Sequence, residues 1–287
     1  MGYARSCRRL DITDEAYFAD PCERPSLSNS LAKVLLDKSP RHAWQVHPRL
    51  GAAPREDSKT FDRGHLVHKL VLGKGADITV VEAKDWRTKG AQEQRDEAYA
   101  AGRIPVLVAD LAGAEEAASA IAGTLARQGL RLSGESEVKL TWLEEVPGHD
   151  DVHARGMVDH LVVGKASATI VDLKTSRSAH PRACAAHVVE YGYDTQRAAY
   201  TCAVETLLPE LAGRVDFVFV FAEVEPPYAV TTGRLDGVLC ERGRRRWDTA
   251  VELWAQCLAA DSWPTYADRP ITIEAPSWVL GSLPEAP

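Results

Sequence analysis

Two short apolar runs with a glycine-containing joint between them constrain this chain more than any other stretch. Met157-Val158-Asp159-His160-Leu161-Val162-Val163 is followed by Gly164-Lys165-Ala166-Ser167 and then by Thr169-Ile170-Val171-Asp172-Leu173-Lys174. β-Branched runs joined by a short turn form a hairpin. A turn centred between Lys165 and Ala166 sets Asp159 directly opposite Asp172. Opposed residues of an antiparallel pair hold their Cβ atoms roughly 5 Å apart, and like charges so placed repel. A shared proton or a divalent cation would cancel that repulsion. Side chains alternate along a strand, so Asp172 and Lys174 share a face while Leu173 turns to the core. Two carboxylates and an ammonium are therefore expected to converge on one point.

Two helical patterns stand on either side of the hairpin in the chain. In the stretch 61–73, Phe61, Gly64, His65, His68 and Leu72 fall on one helical face, and Gly73 suits a C-cap. In Tyr193-Asp194-Thr195-Gln196-Arg197-Ala198-Ala199-Tyr200, Gln196 and Tyr200 are four apart and project from one face. Taken alone, the histidines could simply hydrogen-bond within a half-buried helix, and Tyr193 and Tyr200 could be packing residues.

Taken together and in order, His68, Asp159, Asp172, Lys174, Gln196 and Tyr200 resemble the catalytic core of the PD-(D/E)XK nuclease superfamily. Within it they are similar to the lambda exonuclease and exodeoxyribonuclease VIII group of phage and prophage proteins. Gly64 and His68 match the G-x-x-x-H helix of that group, and Gln196 and Tyr200 match its Q-x-x-x-Y element. Pro25 to Ser30, Leu35 to His42, Trp86 to Lys89, Pro226-Pro227-Tyr228 and Pro276-Ser277-Trp278 are also similar to segments of that group. The resemblance covers residues from roughly 12 to 280.

The resemblance implies a restriction-endonuclease-like core. It also implies Mg²⁺, with Mn²⁺ able to substitute, held by His68, Asp159, Asp172 and the backbone carbonyl of Leu173. Lys174 would orient the attacking water, either as a base or as a fixed positive charge. Gln196 and Tyr200 would hydrogen-bond the water or the phosphate. Glu82 could be an outer acid and Arg87 or Lys89 could meet a DNA end, with an ordinary surface loop as the competing reading. The implied activity is processive 5′→3′ digestion of one strand of linear double-stranded DNA, leaving 3′ single-stranded tails. The implied partners are double-stranded DNA ends, a single-strand annealing protein and further copies of the chain in a homo-oligomeric ring.

Composition bounds these readings. The chain has 287 residues, 45% of them hydrophobic, enough for a sizeable core. No apolar run approaches the ~20 residues of a membrane span. The polar start, Met-Gly-Tyr-Ala-Arg-Ser-Cys-Arg-Arg, has no apolar signal region, so a cytoplasmic protein is expected. The cysteines, Cys7, Cys22, Cys184, Cys202, Cys240 and Cys257, form no C-x-x-C pair and read as reduced thiols. Their scatter argues against the iron–sulfur branch of related nucleases. A formal net charge of −7 is unusual for a DNA binder, since phosphate affinity comes largely from cations. Local patches set the field instead, and two are candidates: Arg177 and Arg182 with His180 between them, and Arg242, Arg244, Arg245 and Arg246.

The expected fold class is α/β (α+β), a central mixed β-sheet flanked by helices. Helices are expected at 28–38, 60–72, 89–101, 112–128, 184–208 and 244–260. Strands are expected at 76–83, 104–108, 135–144, the two hairpin arms, 215–222 and 228–235. One domain is expected over 1–287, with its catalytic core at about 60–235, an N-terminal helical extension at 12–55 and a C-terminal helix and tail at 236–287. The competing functions are a PD-(D/E)XK endonuclease, which would cut closed circular DNA, and a catalytically silent DNA-end binding module. A zinc hydrolase on His65 and His68 is disfavoured because the chain has no H-E-x-x-H pattern.

Overall fold

The computed structural model describes residues 4–53 and 63–275. Phe61 and Pro276-Ser277-Trp278 lie outside the described residues. The chain opens with strand β1 (Ala4–Leu10), helix α1 (Asp14–Phe18), the short strand β2 (Leu27–Ser28), and helices α2 (Asn29–Asp37) and α3 (Pro40–Val46). Helix α4 (Arg63–Leu72), strand β3 (Ile78–Val81), helix α5 (Lys89–Ala100), strand β4 (Ile104–Leu107) and helix α6 (Val108–Arg127) follow. Strands β5 (Glu135–Glu144), β6 (Val152–Val163) and β7 (Ala168–Ser176) then run consecutively. Helices α7 (Pro181–Tyr191) and α8 (Tyr193–Leu207), strands β8 (Val215–Glu223) and β9 (Val230–Gly233), and helix α9 (Gly237–Ala260) complete the elements.

The fold is α/β with a central mixed sheet in the order β1-β5-β6-β7-β8-β9, and β2 adds to β6. β3 and β4 form a separate parallel pair. β5, β6 and β7 are antiparallel neighbours, whereas β7 and β8 are parallel, with α7 and α8 in the crossover. Strand β8 shows why both faces are covered. Phe217, Phe219 and Phe221 join the larger core with α2, α8 and α9, while Val220 and Ala222 join the smaller core with α4 and α6. That is the alternation of a strand buried on both sides. Among the described residues no helix is long and apolar enough to cross a membrane.

Local signals placed most elements. Ser28 caps α2 by accepting from the Leu31 N–H, Thr88 caps α5, and Gly73, Gly102 and Gly129 take left-handed φ values after α4, α5 and α6. Two expectations need correction. The single helix expected over 184–208 is two helices, because Gly192 sits between them at φ 69°. The strand expected over 104–108 ends at Leu107, and Val108 already begins α6. β1 and β2 were not anticipated.

A buried polar knot ties the N-terminal segment to the sheet. Asp20, at a left-handed φ of 71°, accepts from the Ser26 N–H at 2.9 Å and the Ser26 hydroxyl at 2.7 Å. It also faces Arg155 of β6 at 3.0 Å. Burial opposes its charge, but His47, Arg155 and Ser26 together hold the carboxyl well below its usual range.

Candidate active site

The hairpin has the register expected for a turn centred between Lys165 and Ala166, with Val163 opposite Ala168 and His160 opposite Val171. The ladder stops there, one pair short of Asp159 and Asp172. On the other side of β6 the β5 ladder runs from Ser136–His160 to Val138–Val158 and skips Glu137 and Asp159. Glu137 takes a left-handed φ of 53° at that point. Both neighbours of β6 thus part from it at the level of Asp159.

The opening exposes main-chain groups of β7 that a ladder would otherwise occupy. Asp159 Oδ2 accepts the Leu173 N–H at 2.9 Å. His68 of α4 donates to the Leu173 backbone. Two of the three side chains named as metal ligands, Asp159 and His68, therefore meet at one residue, Leu173, whose carbonyl is named with them. Leu173 itself turns into the smaller core, as its alternation with Asp172 and Lys174 requires.

Asp172 is fully buried. Its Oδ2 accepts from Gln196 Nε2 at 2.6 Å. Lys174 Nζ lies 2.5 Å from its Oδ1. Oδ1 is thus buried against the ammonium. Burial raises the proton affinity of Asp172, Lys174 opposes this and Asp159 adds to it, leaving a value of about 6. Asp159 is raised as well, chiefly by burial, against Lys174 and the Leu173 N–H. Burial would lower Lys174, but the two aspartates outweigh it and hold the ammonium above its ordinary value. The repulsion foreseen between the carboxylates is thus met in part by Lys174 itself. Buried beside this cation, His68 falls to about 4 and is a neutral imidazole at pH 7.

Tyr200 is buried to about the same degree as Gln196. It is 8% exposed, and its hydroxyl accepts from the Met157 backbone N–H. Its ring occupies the space beside Gly156, where an added Cβ would stand 2.5 Å from Cε1. Tyr200 therefore sets β6, which carries Asp159, against α8, which carries Gln196. His65 is exposed on α4, one turn from His68.

A family model described as "PDDEXK-like domain of unknown function (DUF3799)" matches residues 28–274. The chain belongs to that family. This membership accords with the PD-(D/E)XK resemblance and the restriction-endonuclease-like core. Superfamily members generally use divalent metals. The crystal structure of an Eubacterium rectale protein provisionally named an exonuclease aligns with a TM-score of 0.57 at 15% identity. The alignment covers 94% of this chain and 98% of that one, and shows the shared fold. A second solved structure, SSO0001, aligns at a TM-score of 0.29 and 16% identity over 66% of this chain and 85% of its own, too low to speak for the fold. No curated protein matches the chain.

The residues present fit a divalent cation in donor chemistry. Two carboxylates, a neutral imidazole and a backbone carbonyl adjoin one another, and Asp172 Oδ1 is a buried carboxylate oxygen turned to the Lys174 ammonium. Among the described residues no three His, Cys, Asp or Glu side chains already stand together as a cage. In this arrangement the candidate ligands are engaged with Leu173, Gln196 and Lys174 instead.

The two basic clusters differ. Arg242 pairs with buried Asp194, Arg244 with Glu241 and Asp248, Arg245 with Glu241, and Arg246 with Asp37. Arg177 and Arg182 are exposed, and no such partner is found for them among the described residues. Glu82 is exposed, and Arg87 pairs with Asp85 in the same loop.

Sequence reasoning overlooked two residues here. Glu137 lies across from Asp159 and raises its proton affinity. Glu137 alternates with Val138, Leu140 and Trp142 of the larger core, and its left-handed backbone leaves no mark on that pattern. Tyr193 places its ring centroid 4.6 Å from Lys174 Nζ. Its position three residues before Gln196 was the available signal.

Proposed function

We propose that this chain is a divalent-metal-dependent deoxyribonuclease, an exonuclease on the ends of linear double-stranded DNA. One observation carries the reading: a fully buried carboxylate, Asp172, is held between Gln196 and Lys174 beside a second acid, Asp159. Such an arrangement is costly for stability and suits a site that neutralises charge during reaction. The family and the solved neighbour support a nuclease.

Asp159, Asp172, His68 and the Leu173 carbonyl would hold Mg²⁺, or Mn²⁺ in its place. The ion would supply Lewis acidity and charge compensation toward an anionic phosphodiester. Lys174 acts as a fixed cation toward the charge that develops on the phosphate. With its ammonium held above the ordinary value, it keeps its proton at neutral pH. Gln196 fixes the rotamer of Asp172 through Oδ2 and leaves Oδ1 toward the site. Tyr200 acts as a positioning residue through Met157 and Gly156.

The resemblance supports the finer parts of the proposal: 5′→3′ direction, processivity, 3′ single-stranded tails, a homo-oligomeric ring and a single-strand annealing protein as partner in DNA recombination. The test is hydrolysis of end-labelled linear duplex in Mg²⁺, with covalently closed circles alongside. Wild type is expected to degrade the linear form only, with label from the 5′ end appearing first. Lys174→Ala is expected to bind ends and lose at least about a hundredfold in rate. Cutting of closed circles would replace the exonuclease by an endonuclease. Equal rates for wild type and Lys174→Ala would remove the mechanism.

A further inference from the structure

The wall beyond Lys174 carries a row of rings that phosphodiester cleavage itself does not require. Asp172, Lys174 and Ser176 follow one another at the two-residue period of β7. Tyr193 stands beside Lys174, at 4.6 Å. The Tyr193 ring centroid is 5.7 Å from that of Tyr191, and Tyr191 is 5.4 Å from His187. His187 Nδ1 returns to β7, 3.4 Å from Ser176 Oγ. The row therefore begins at the lysine and runs outward along the end of the strand. Its outer ring, Tyr191, is 45% exposed at the last position of α7.

The charge around this row is mixed: Glu190, next to Tyr191, is exposed and negative, and cations lie toward the start of α7. Arg177 directly follows Ser176, and Arg182 lies in the first turn of α7. Both are exposed without an ion-pair partner among the described residues, in contrast to the paired arginines of α9. Arg182 stands nine residues from Tyr191 and so on the opposite side of α7, which leaves Arg177, next to Ser176, as the cation of this row. An exposed ring beside an unpaired guanidinium holds unpaired nucleotides, the ring taking a base and the cation a phosphate. Paired bases inside a duplex have no free face to offer.

We propose that Tyr191 and His187, together with Arg177, form a stacking wall for unpaired nucleotides of the DNA strand cut beside Lys174. The proposal rests on the nuclease reading for the place of the cut.

Binding of a short fluorescent oligothymidylate, followed by anisotropy in EDTA, tests the wall directly. Tyr191→Ala is expected to weaken binding about tenfold, and Tyr191→Phe, which keeps the ring, to stay within about twofold of wild type. Replacing Arg177 by Gln is expected to reduce the slope of log affinity against log salt by about 0.7. In turnover on linear DNA, Tyr191→Ala raises KM and leaves kcat. Unchanged affinity in Tyr191→Ala, or equal loss in Tyr191→Phe, overturns the wall. So does unchanged affinity accompanied by a changed oligomer mass, which would make this face a contact between copies. A wild type that shows the binding pattern but cuts no DNA supports the wall and removes the nuclease reading. A wild type that cuts linear DNA while Tyr191→Ala binds normally removes the wall alone.

Discussion

Asp159 accepts the backbone N–H of Leu173 at 2.9 Å, so a carboxylate takes the place of a strand at the point where β6 and β7 part. The backbone of the same residue is hydrogen-bonded by His68. The candidate site is a fault in a sheet, held open by the side chains that would do the chemistry.

The metal-free site should show two opposed pH dependences. Burial holds Asp172 at about 6 against an ordinary 3.8. The folded state then binds the extra proton, so its contribution is present in acid and lost as pH rises toward 6. Burial holds His68 at about 4 against an ordinary 6.5. There the unfolded state binds the extra proton, so stability is gained as pH rises over that window. In EDTA, the stability of Asp172→Asn relative to wild type should climb between pH 4 and 6, and that of His68→Ala should fall. Each slope is at most about 1.4 kcal/mol per pH unit. Urea titrations across a pH series measure both, and parallel curves would contradict the assignment.

Gly156→Ala should damage the site without touching a candidate ligand. The new Cβ would meet Tyr200 Cε1 at 2.5 Å, pressing β6 away from α8. Overpacking of this kind costs about 1–3 kcal/mol. The nuclease rate should fall with it, and a second change, Tyr200→Leu, should return part of the stability. Denaturation of the single and double variants gives the coupling.

Glu144 is a buried acid raised by burial, despite accepting from Trp142 Nε1 at 2.7 Å and Trp247 Nε1 at 2.8 Å. Glu144→Gln keeps an acceptor and removes the charge. Its stability should match or exceed wild type at pH 8, with the advantage fading in acid. Glu144→Leu strands two buried indole N–H groups and should cost about 2–4 kcal/mol in the same urea assay.

Arg242→Ala and Arg245→Ala should separate the pairs on α9. Arg242 neutralises the fully buried Asp194, although it is itself 33% exposed, and its loss should cost about 1–3 kcal/mol after allowing for that exposure. Arg245 is 74% exposed against Glu241, and its loss should cost under about 0.5 kcal/mol. Thermal melts of the two variants at one ionic strength check the order.

Much of this was legible because local rules wrote it. The turn between Lys165 and Ala166 fixed the register of the hairpin, and Ser28, Thr88 and Gly73 marked helix ends. The illegible parts depend on φ or on distant partners. A glycine within an apolar helical pattern can stay helical, and Gly192 breaks the helix only because its φ is 69°. Glu137 alternates correctly for an outward residue, and the parting of strands around Asp159 is a tertiary event. The Asp20 knot joins Ser26, His47 and Arg155, residues that no spacing connects. Strand β1 lacks alternation and exists because β5 offers it a ladder.

The break at Gly192 has a mechanical corollary. Tyr191 and His187 ride on one rod and Gln196 and Tyr200 on another, joined at a single left-handed residue. In the proposed wall, substitutions on the outer rod would change how tightly a strand is gripped, while the inner rod, packed against β1 and α9, holds Gln196 and Tyr200 in place.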